Sequence, residues 1–303
     1  VEKLSFKVLN SAFLTLIQDS GRFSYSHLGV TNSGFMDEYA AFACNKLLDN
    51  DIKGNLLEIS FPNLHLEATK DTTLALTGAF CELFINDEQK NTWCSHQVKK
   101  GDSIRIGSFK SGQRVYLGVK NGFILKKEFG SFSTTLKEGF GKILEKNSIL
   151  DFEEFKGIKT KKWHKNYLPQ YGNDLTLRVI LSYQEDTFSN EAKELFFNNK
   201  YKITSDFNRM ACKLDGKEIK SNINGVISEA ISYGSIQIPN DGKPIILLKE
   251  AQTIGGYPKI GSVLSVDCFK LAQMKIGGTV NFKEISINQA QEKLKKFYST
   301  FLS

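Results

Sequence analysis

The sequence predicts a mainly β protein, arranged as barrels or sandwiches with few short helices. Three observations carry this. Short runs alternate apolar and polar residues with period two, Gly, Asn or Asp bounds most of them, and helical periodicity is confined to a few segments. In the first half the predicted strands are 4–9, 14–18, 56–61, 64–68, 73–77, 82–86, 103–109 and 114–119. In the second half they are 175–181, 235–238, 244–249, 262–266 and 279–282. A helix over 37–48 places Ala40, Cys44, Leu47 and Leu48 on one face, with Asp37 as N-cap. A second runs over 190–199 and a short third over 267–274. The last helix follows the capping box Ser286-x-x-Gln289 and aligns Ala290, Leu294, Phe297 and Phe301. Between Phe152 and Asn173 lysines and glycines replace the alternation, which predicts an N-terminal β-rich domain over 1–160 and a C-terminal domain with the terminal helix over 161–303.

Length and composition agree. A chain of 303 residues with 41% hydrophobic content can build two domains with cores of their own. No stretch reaches the ~18 apolar residues of a membrane span, so no membrane partner is expected. The start, Val1-Glu-Lys-Leu-Ser-Phe6, alternates like a strand and lacks a signal-peptide core. Cysteines 44, 81, 94, 212 and 268 are odd in number and scattered, without C-x-x-C. That argues against a disulfide framework and a zinc site, and for a reducing, cytoplasmic setting. The net charge of +7 is mild. The lysines near 126–127 and 156–165 read as solvated, so no nucleic-acid partner is expected.

Common catalytic signatures are missing: no G-x-S-x-G elbow, no H-E-x-x-H and no P-loop. Histidines 27, 65, 96 and 164 do not pair at metal-ligand spacing, so no metal site is expected. The strongest pointer to a binding site is the segment from Gly234 to Lys259. Two apolar runs flank a Pro239-Asn-Asp241-Gly242 turn, in which Asp241-Gly242 is expected to supply positive φ. The loop after them gathers Gln252, Thr253, Tyr257 and Lys259 around Gly255 and Gly256, which let a ligand approach the backbone. Three further segments carry two readings each. Gln18-Asp-Ser-Gly-Arg22 with Ser33-Gly-Phe-Met-Asp37 is either a turn plus capped helix, with Gln18 and Arg22 satisfying buried carbonyls, or a helix N-terminus open to an anion. Ala75-Leu-Thr-Gly78-Ala79 is a glycine bulge or a site. Arg114-Val-Tyr116-Leu-Gly118 with Gly130-Ser-Phe-Ser-Thr134 supplies glycine-bounded polar turns.

Taken together in this order, these pieces resemble the biotin-dependent carboxyltransferase family, of the allophanate hydrolase subunit 2 and 5-oxoprolinase C-subunit type. Leu57-Glu58, Leu76-Thr-Gly-Ala79, Ser205-Asp206, Arg209-Met210, Ile236-Gln-Ile-Pro239 and Gln252-Thr-Ile-Gly-Gly-Tyr-Pro-Lys259 complete the match, which spans roughly residues 4–283. The resemblance implies two cyclophilin-like β-barrel domains. It implies a tight heteromer with a homologue of the 5-oxoprolinase B-subunit, joined by a separate A-subunit; together they open 5-oxoproline to L-glutamate with ATP. It also implies two alternatives: the carboxyltransferase part of a urea-carboxylase-like biotin enzyme, with biotin as cofactor, and a regulatory protein that antagonises a kinase inhibitor. The sequence departs from the family pattern at Lys120-Asn121-Gly122, Ala211, Gly141-Lys142 and Glu250, the last standing where aspartate is usual.

Either enzymatic reading needs an amide held and polarised beside an activated group. That is work for placed donors and acceptors. By residue type, Lys259, Tyr257, Gln252 and Asp241 are the expected catalytic residues. Arg209, Gln237, Gly255, Gly256, Ser33 and Asp37 are the expected substrate-binding residues, with Arg209 suited to hold a carboxylate through two parallel bonds. ATP is the cofactor of the complex, without a site located in this chain.

Overall fold

Two long strands organise the first half of the chain, where the sequence predicts four short ones. The computed structural model describes residues 5–157 and 159–302. The strands in order are β1 (Phe6–Asn10), β2 (Thr15–Gln18), β3 (Leu56–Ile59), β4 (Leu64–Ala68), β5 (Thr72–Ile85), β6 (Glu88–Lys90), β7 (Cys94–Val98), β8 (Ser103–Val119) and β9 (Ile149–Leu150). Helix α1 (Glu38–Leu47) follows β2. The predicted pairs 73–77 with 82–86, and 103–109 with 114–119, each merge into one strand. β5 and β8 pair along their length with register shifts between Gly78 and Leu83. Such bulges break the two-residue alternation while the ladder continues. Leu4, the first residue of the predicted strand 4–9, lies outside the described residues.

These strands form one nine-stranded sheet in the order β2-β3-β8-β4-β1-β9, with β5 pairing β6, β7 and β8. The lower part of β8 pairs β4 and the upper part pairs β3, so the sheet bends round as a half-barrel. Its core includes Phe6, Leu57, Leu66, Leu76, Leu83, Ile104, Leu117 and Phe152. Each such side chain stabilises the fold by roughly 1.5–3 kcal/mol on burial.

The second half contains β10 (Asp174–Leu181), α2 (Asn190–Asn198), β11 (Lys200–Phe207), β12 (Ala211–Asp215), β13 (Glu229–Ala230), β14 (Ser235–Gln237), β15 (Ile245–Leu247), β16 (Ile254–Gly255), β17 (Lys259–Val263), α3 (Ser265–Leu271), β18 (Thr279–Glu284) and α4 (Ile287–Leu302). Strands β10-β17-β14-β15-β12-β11-β18 close a seven-stranded barrel, and β13 and β16 form a separate ribbon. The sequence reading misses the β11–β12 hairpin. Its exposed residues are Lys200, Lys202, Ser205, Asp206 and Asp215, and only Tyr201, Ile203, Cys212 and Leu214 are buried. The capping box of α4 forms: Ser286 N–H donates to Gln289 Oε1 and Gln289 N–H to Ser286 Oγ, each at 3.3 Å. Phe297 packs on Phe269 of α3 at 5.3 Å between ring centroids.

By contacts the chain forms two units, Val1–Arg22 with Ser33–Tyr171, and Phe23–Asn32 with Gly172–Ser303. The division therefore falls later than 160/161, and a short early segment groups with the second unit. The reason is pairing. Ser95 N–H donates to Lys161 O and Trp163 N–H to Trp93 O, which ties that stretch to β7 and its approach. No described helix is long and apolar enough to cross a membrane. All five cysteines are free and buried.

Candidate functional site

The geometry that matters lies in the second unit, where β14, β17 and the β13–β16 ribbon meet. A bulge between Ile236 and Gln237 sets Gln237 opposite Lys259 while Ile236 faces Gly261. Bulges next to sites re-aim side chains, and this one presents Gln237 and Lys259 as neighbours. The ribbon then lays Glu229 opposite Gly255.

Lys259 is not the solvated lysine its place after Pro258 would suggest. Only 7% of its side chain is exposed, and its ammonium donates to Glu229 Oε1. Gln184 grips both partners: its Oε1 accepts from the Lys259 N–H at 2.8 Å and its Nε2 donates to Glu229 Oε1 at 2.6 Å. The Tyr183 hydroxyl donates to Glu229 Oε2, and Ser182 Oγ donates to the Lys259 carbonyl. Glu229 is held below the ordinary glutamate range, first by Lys259 and then by Tyr183.

Beside this pair sits a buried donor with nothing to bond. Gln237 is 2% exposed, and among the described residues its Nε2 has no hydrogen-bond partner. That amide nitrogen packs on Gly255: a Cβ there would lie 2.7 Å from Gln237 Nε2, 3.3 Å from Gln252 Nε2 and 2.6 Å from Ile231 Cδ1. Gly255 has no positive φ, and a side chain there would displace the ends of these three neighbouring side chains. A Cβ added at Gly256 would lie 3.1 Å from the Val226 carbonyl oxygen, and the Gly256 carbonyl accepts from Val226 N–H. A lone buried amide donor is unfavourable by about 1–3 kcal/mol, which makes Gln237 Nε2 a candidate contact for an acceptor oxygen. Tyr257 is 43% exposed at the rim.

Four of the expected residues therefore converge: Gln237, Gln252, Gly255 and Lys259. Others do not join them. Asp241 turns to the surface, where its carboxylate accepts from Lys213 Nζ at 3.0 Å and from Lys243 N–H at 3.1 Å. In that turn Gly242 alone takes positive φ, not Asp241. Arg209 donates from Nε to Glu250 Oε1 at 2.5 Å, each side chain 12% exposed, so this guanidinium already holds a carboxylate. Glu229, Gln184 and Tyr183 were missed by the sequence reading. They lie far from Lys259 along the chain, in segments without a pattern.

Ser33 and Asp37 belong to the first unit and to a different kind of network. Asp37 caps α1, accepting from Ala40 N–H at 3.2 Å, and its Oδ2 accepts from the Tyr171 hydroxyl at 3.2 Å. Asp37 N–H donates to the Tyr116 hydroxyl at 2.8 Å, which donates to Glu58 Oε2 at 2.7 Å; Met36 N–H reaches the same oxygen at 3.0 Å. Arg114 Nε lies 3.9 Å from Glu58 Oε1. Burial, then Glu58, pushes the Tyr116 phenol well above its ordinary value. Ser33 Oγ faces Gln18 Oε1 and the Thr134 carbonyl, both at 3.4 Å. The capped-helix reading is the one the bonds here support: Met36 and Asp37 N–H, just before the helix, and Ala40 N–H in its first turn donate to the protein's own oxygens. Gln18 and Arg22 do satisfy buried carbonyls: Gln18 Nε2 donates to Thr134 O at 2.9 Å, and Arg22 to Ser133 O and, at 2.7 Å, to Thr135 Oγ1.

Comparison with known proteins follows this geometry. A family model described as the carboxyltransferase domain, subdomain A and B, matches residues 28–284. The 5-oxoprolinase C-subunit of Haemophilus influenzae is 31% identical over 286 residues, covering 92% of this chain and 91% of that protein. Its counterpart in Escherichia coli is 30% identical, with 94% and 92% covered. Among solved structures, the urea amidolyase of K. lactis superposes with a TM-score of 0.90 at 26% identity over 98% of this chain. This chain spans 20% of that larger one. A half-barrel followed by a closed barrel, with a lysine, a glutamate and two glutamines gathered at a double-glycine loop, thus accompanies a family match over most of the sequence, and the chain belongs to the biotin-dependent carboxyltransferase family, of the allophanate hydrolase subunit 2 and 5-oxoprolinase C-subunit type.

Proposed function

We propose that this chain is the C-subunit of a prokaryotic ATP-dependent 5-oxoprolinase, opening 5-oxoproline to L-glutamate with its A- and B-subunits in a reducing cytoplasm. The observation that carries this is co-extension: the chain and the two 5-oxoprolinase relatives match over nine-tenths of each other's length. The site supports the chemistry. A lactam carbonyl gathers negative charge as its C–N bond is attacked, and a placed ammonium with amide donors stabilises that charge. Lys259 is the charge-bearing donor, Gln237 and Gln252 supply neutral donors, and Tyr257 borders the loop.

The test is to co-purify the chain with homologues of the A- and B-subunits, then measure glutamate release from 5-oxoproline with and without ATP. ATP-dependent release that vanishes when this chain is omitted supports the reading. No release from an assembled complex overturns it. A second reading, carboxyl transfer from carboxybiotin to urea or a related amide, is favoured by the superposition on the K. lactis urea amidolyase. It predicts urea-dependent turnover with carboxybiotin instead.

A further inference from the structure

We propose that Glu229 is the positioning residue of this site: anchored by Tyr183 and Gln184, its carboxylate fixes the Lys259 ammonium beside the Gln237 and Gln252 amides. This rests on the reading of Lys259 as the group that meets substrate. Three features carry it. First, Glu229 has a fixed backbone, since the β13–β16 ladder sets it opposite Gly255. Second, its two oxygens are shared among three side-chain donors. Oε1 takes the Lys259 ammonium and Gln184 Nε2, and Oε2 takes the Tyr183 hydroxyl. A carboxylate so occupied is an anchor. Third, Gln184 bonds Glu229 with one end of its amide and the Lys259 backbone with the other, so carboxylate and lysine are held in one frame.

An exposed ion pair would not hold a lysine in this way, because two long side chains in water gain little from meeting. Here the lysine side chain is 7% exposed, its backbone is in a strand and its partner is pinned at both oxygens. An ammonium carries three N–H bonds. With one directed at Glu229, the remaining two have a defined orientation, and an acceptor oxygen near Gln237 Nε2 lies in the same neighbourhood. Glu229 acts through Lys259.

The experiment compares Glu229→Gln and Glu229→Asp in the assembled enzyme, with two readouts. Glutamate release from 5-oxoproline should show a kcat about 10²-fold lower for Glu229→Gln, the size of effect expected from a misplaced group, with KM changed far less. Glu229→Asp, which keeps the charge, should recover part of the rate. The second readout needs no turnover: acetylation of Lys259 by an N-hydroxysuccinimide ester, followed by peptide mass spectrometry. Glu229→Gln should raise Lys259 labelling several-fold relative to the other lysines. If the wild-type complex releases no glutamate, the functional reading fails while labelling still decides the role of Glu229. Should Glu229→Gln not fold, Tyr183→Phe, which removes one anchor, should lower kcat and raise labelling in the same direction. Normal kcat, or unchanged Lys259 labelling in a folded variant, overturns the proposal.

Discussion

The two units each bury a polar network, and among the described residues each network keeps a buried donor without a hydrogen bond, Arg114 Nε in the first and Gln237 Nε2 in the second. In the first unit, around Asp37, Tyr116 and Glu58, the Met36, Asp37 and Ala40 N–H groups meet acceptors, and the Tyr116 and Tyr171 hydroxyls have partners. In the second, around Lys259 and Glu229, most groups are paired, but Gln237 Nε2 is buried and unbonded. The difference is what stands beside each open donor: Arg114 Nε has the Glu58 carboxylate 3.9 Å away, whereas Gln237 Nε2 packs against Gly255, where we propose that an acceptor oxygen binds. Residue type alone does not separate them, since both contain carboxylates and a cation. The neighbour of the open donor does.

The comparison can be broken at its structural end first. Glu58→Ala removes the acceptor shared by Met36 N–H and Tyr116 beside the buried Arg114. Breaking a buried pair in this way is destabilising by about 3–5 kcal/mol, to be read by denaturant unfolding of the whole chain. A loss under about 1 kcal/mol, the scale of a single ordinary hydrogen bond, would show that the network does not hold the unit together. At the other end, Lys259→Ala should lower the rate per folded molecule by about 10²–10³-fold, equivalent to about 2.7–4 kcal/mol of transition-state stabilisation, alongside a drop in melting temperature because Glu229 loses its ammonium. Unfolding with normal activity per folded molecule would make the lysine structural.

Gln237→Met sharpens the contrast because stability and activity should move oppositely. Replacing the orphan amide with an apolar chain of similar length relieves about 1 kcal/mol of desolvation, so calorimetry should record a higher melting temperature while turnover falls. A variant both less stable and fully active would mean that the amide is bonded in the working protein. At the surface, Asp241→Ala breaks only the exposed pair with Lys213, worth about 0.2–1 kcal/mol, and turnover should be unaffected; a large kinetic loss would return Asp241 to the site. The smallest expected effect is in pH. Glu229 is depressed below its ordinary value of 4.5, so its contribution is full above that value and is lost as pH falls through the lower folded one. The difference in melting temperature between wild type and Glu229→Gln should therefore be constant at neutral pH and shrink from about pH 4.5 downward.

Much of this was legible in the sequence, for reasons particular to each element. Strand β4 alternates Leu64, Leu66 and Ala68 inward against His65 and Glu67, and its bounds emerge as predicted. The α4 stripe and the Asp37 cap depend only on local spacing, and both form. Strands β5 and β8 were read as broken because their bulges shift which residues face inward. The Gln252–Lys259 loop announces itself by composition, and Gln237 and Lys259 do meet. What composition could not give is the partner of the lysine. Glu229 comes from a stretch with little regular structure, and only the ribbon register brings it round. The setting of the cap at Asp37 likewise depends on Glu58 and Tyr116, which face each other on β3 and β8, distant in sequence from the helix.

The barrel of the second unit closes through a parallel pairing: β18 runs alongside β10, and Asp174 faces Thr279 at a sequence separation of 105. That seam sets the timing of folding. During synthesis β10 emerges early, yet its partner arrives only when nearly all of the unit has left the ribosome. Until then β10 presents a free edge rich in Leu and Val, of the kind that recruits strands from other molecules. Pairings this distant in sequence also form slowly. Ribosomes stalled before Thr279 should hold a nascent second unit that is protease-sensitive and prone to cross-chain association, and release of the last strand should end both.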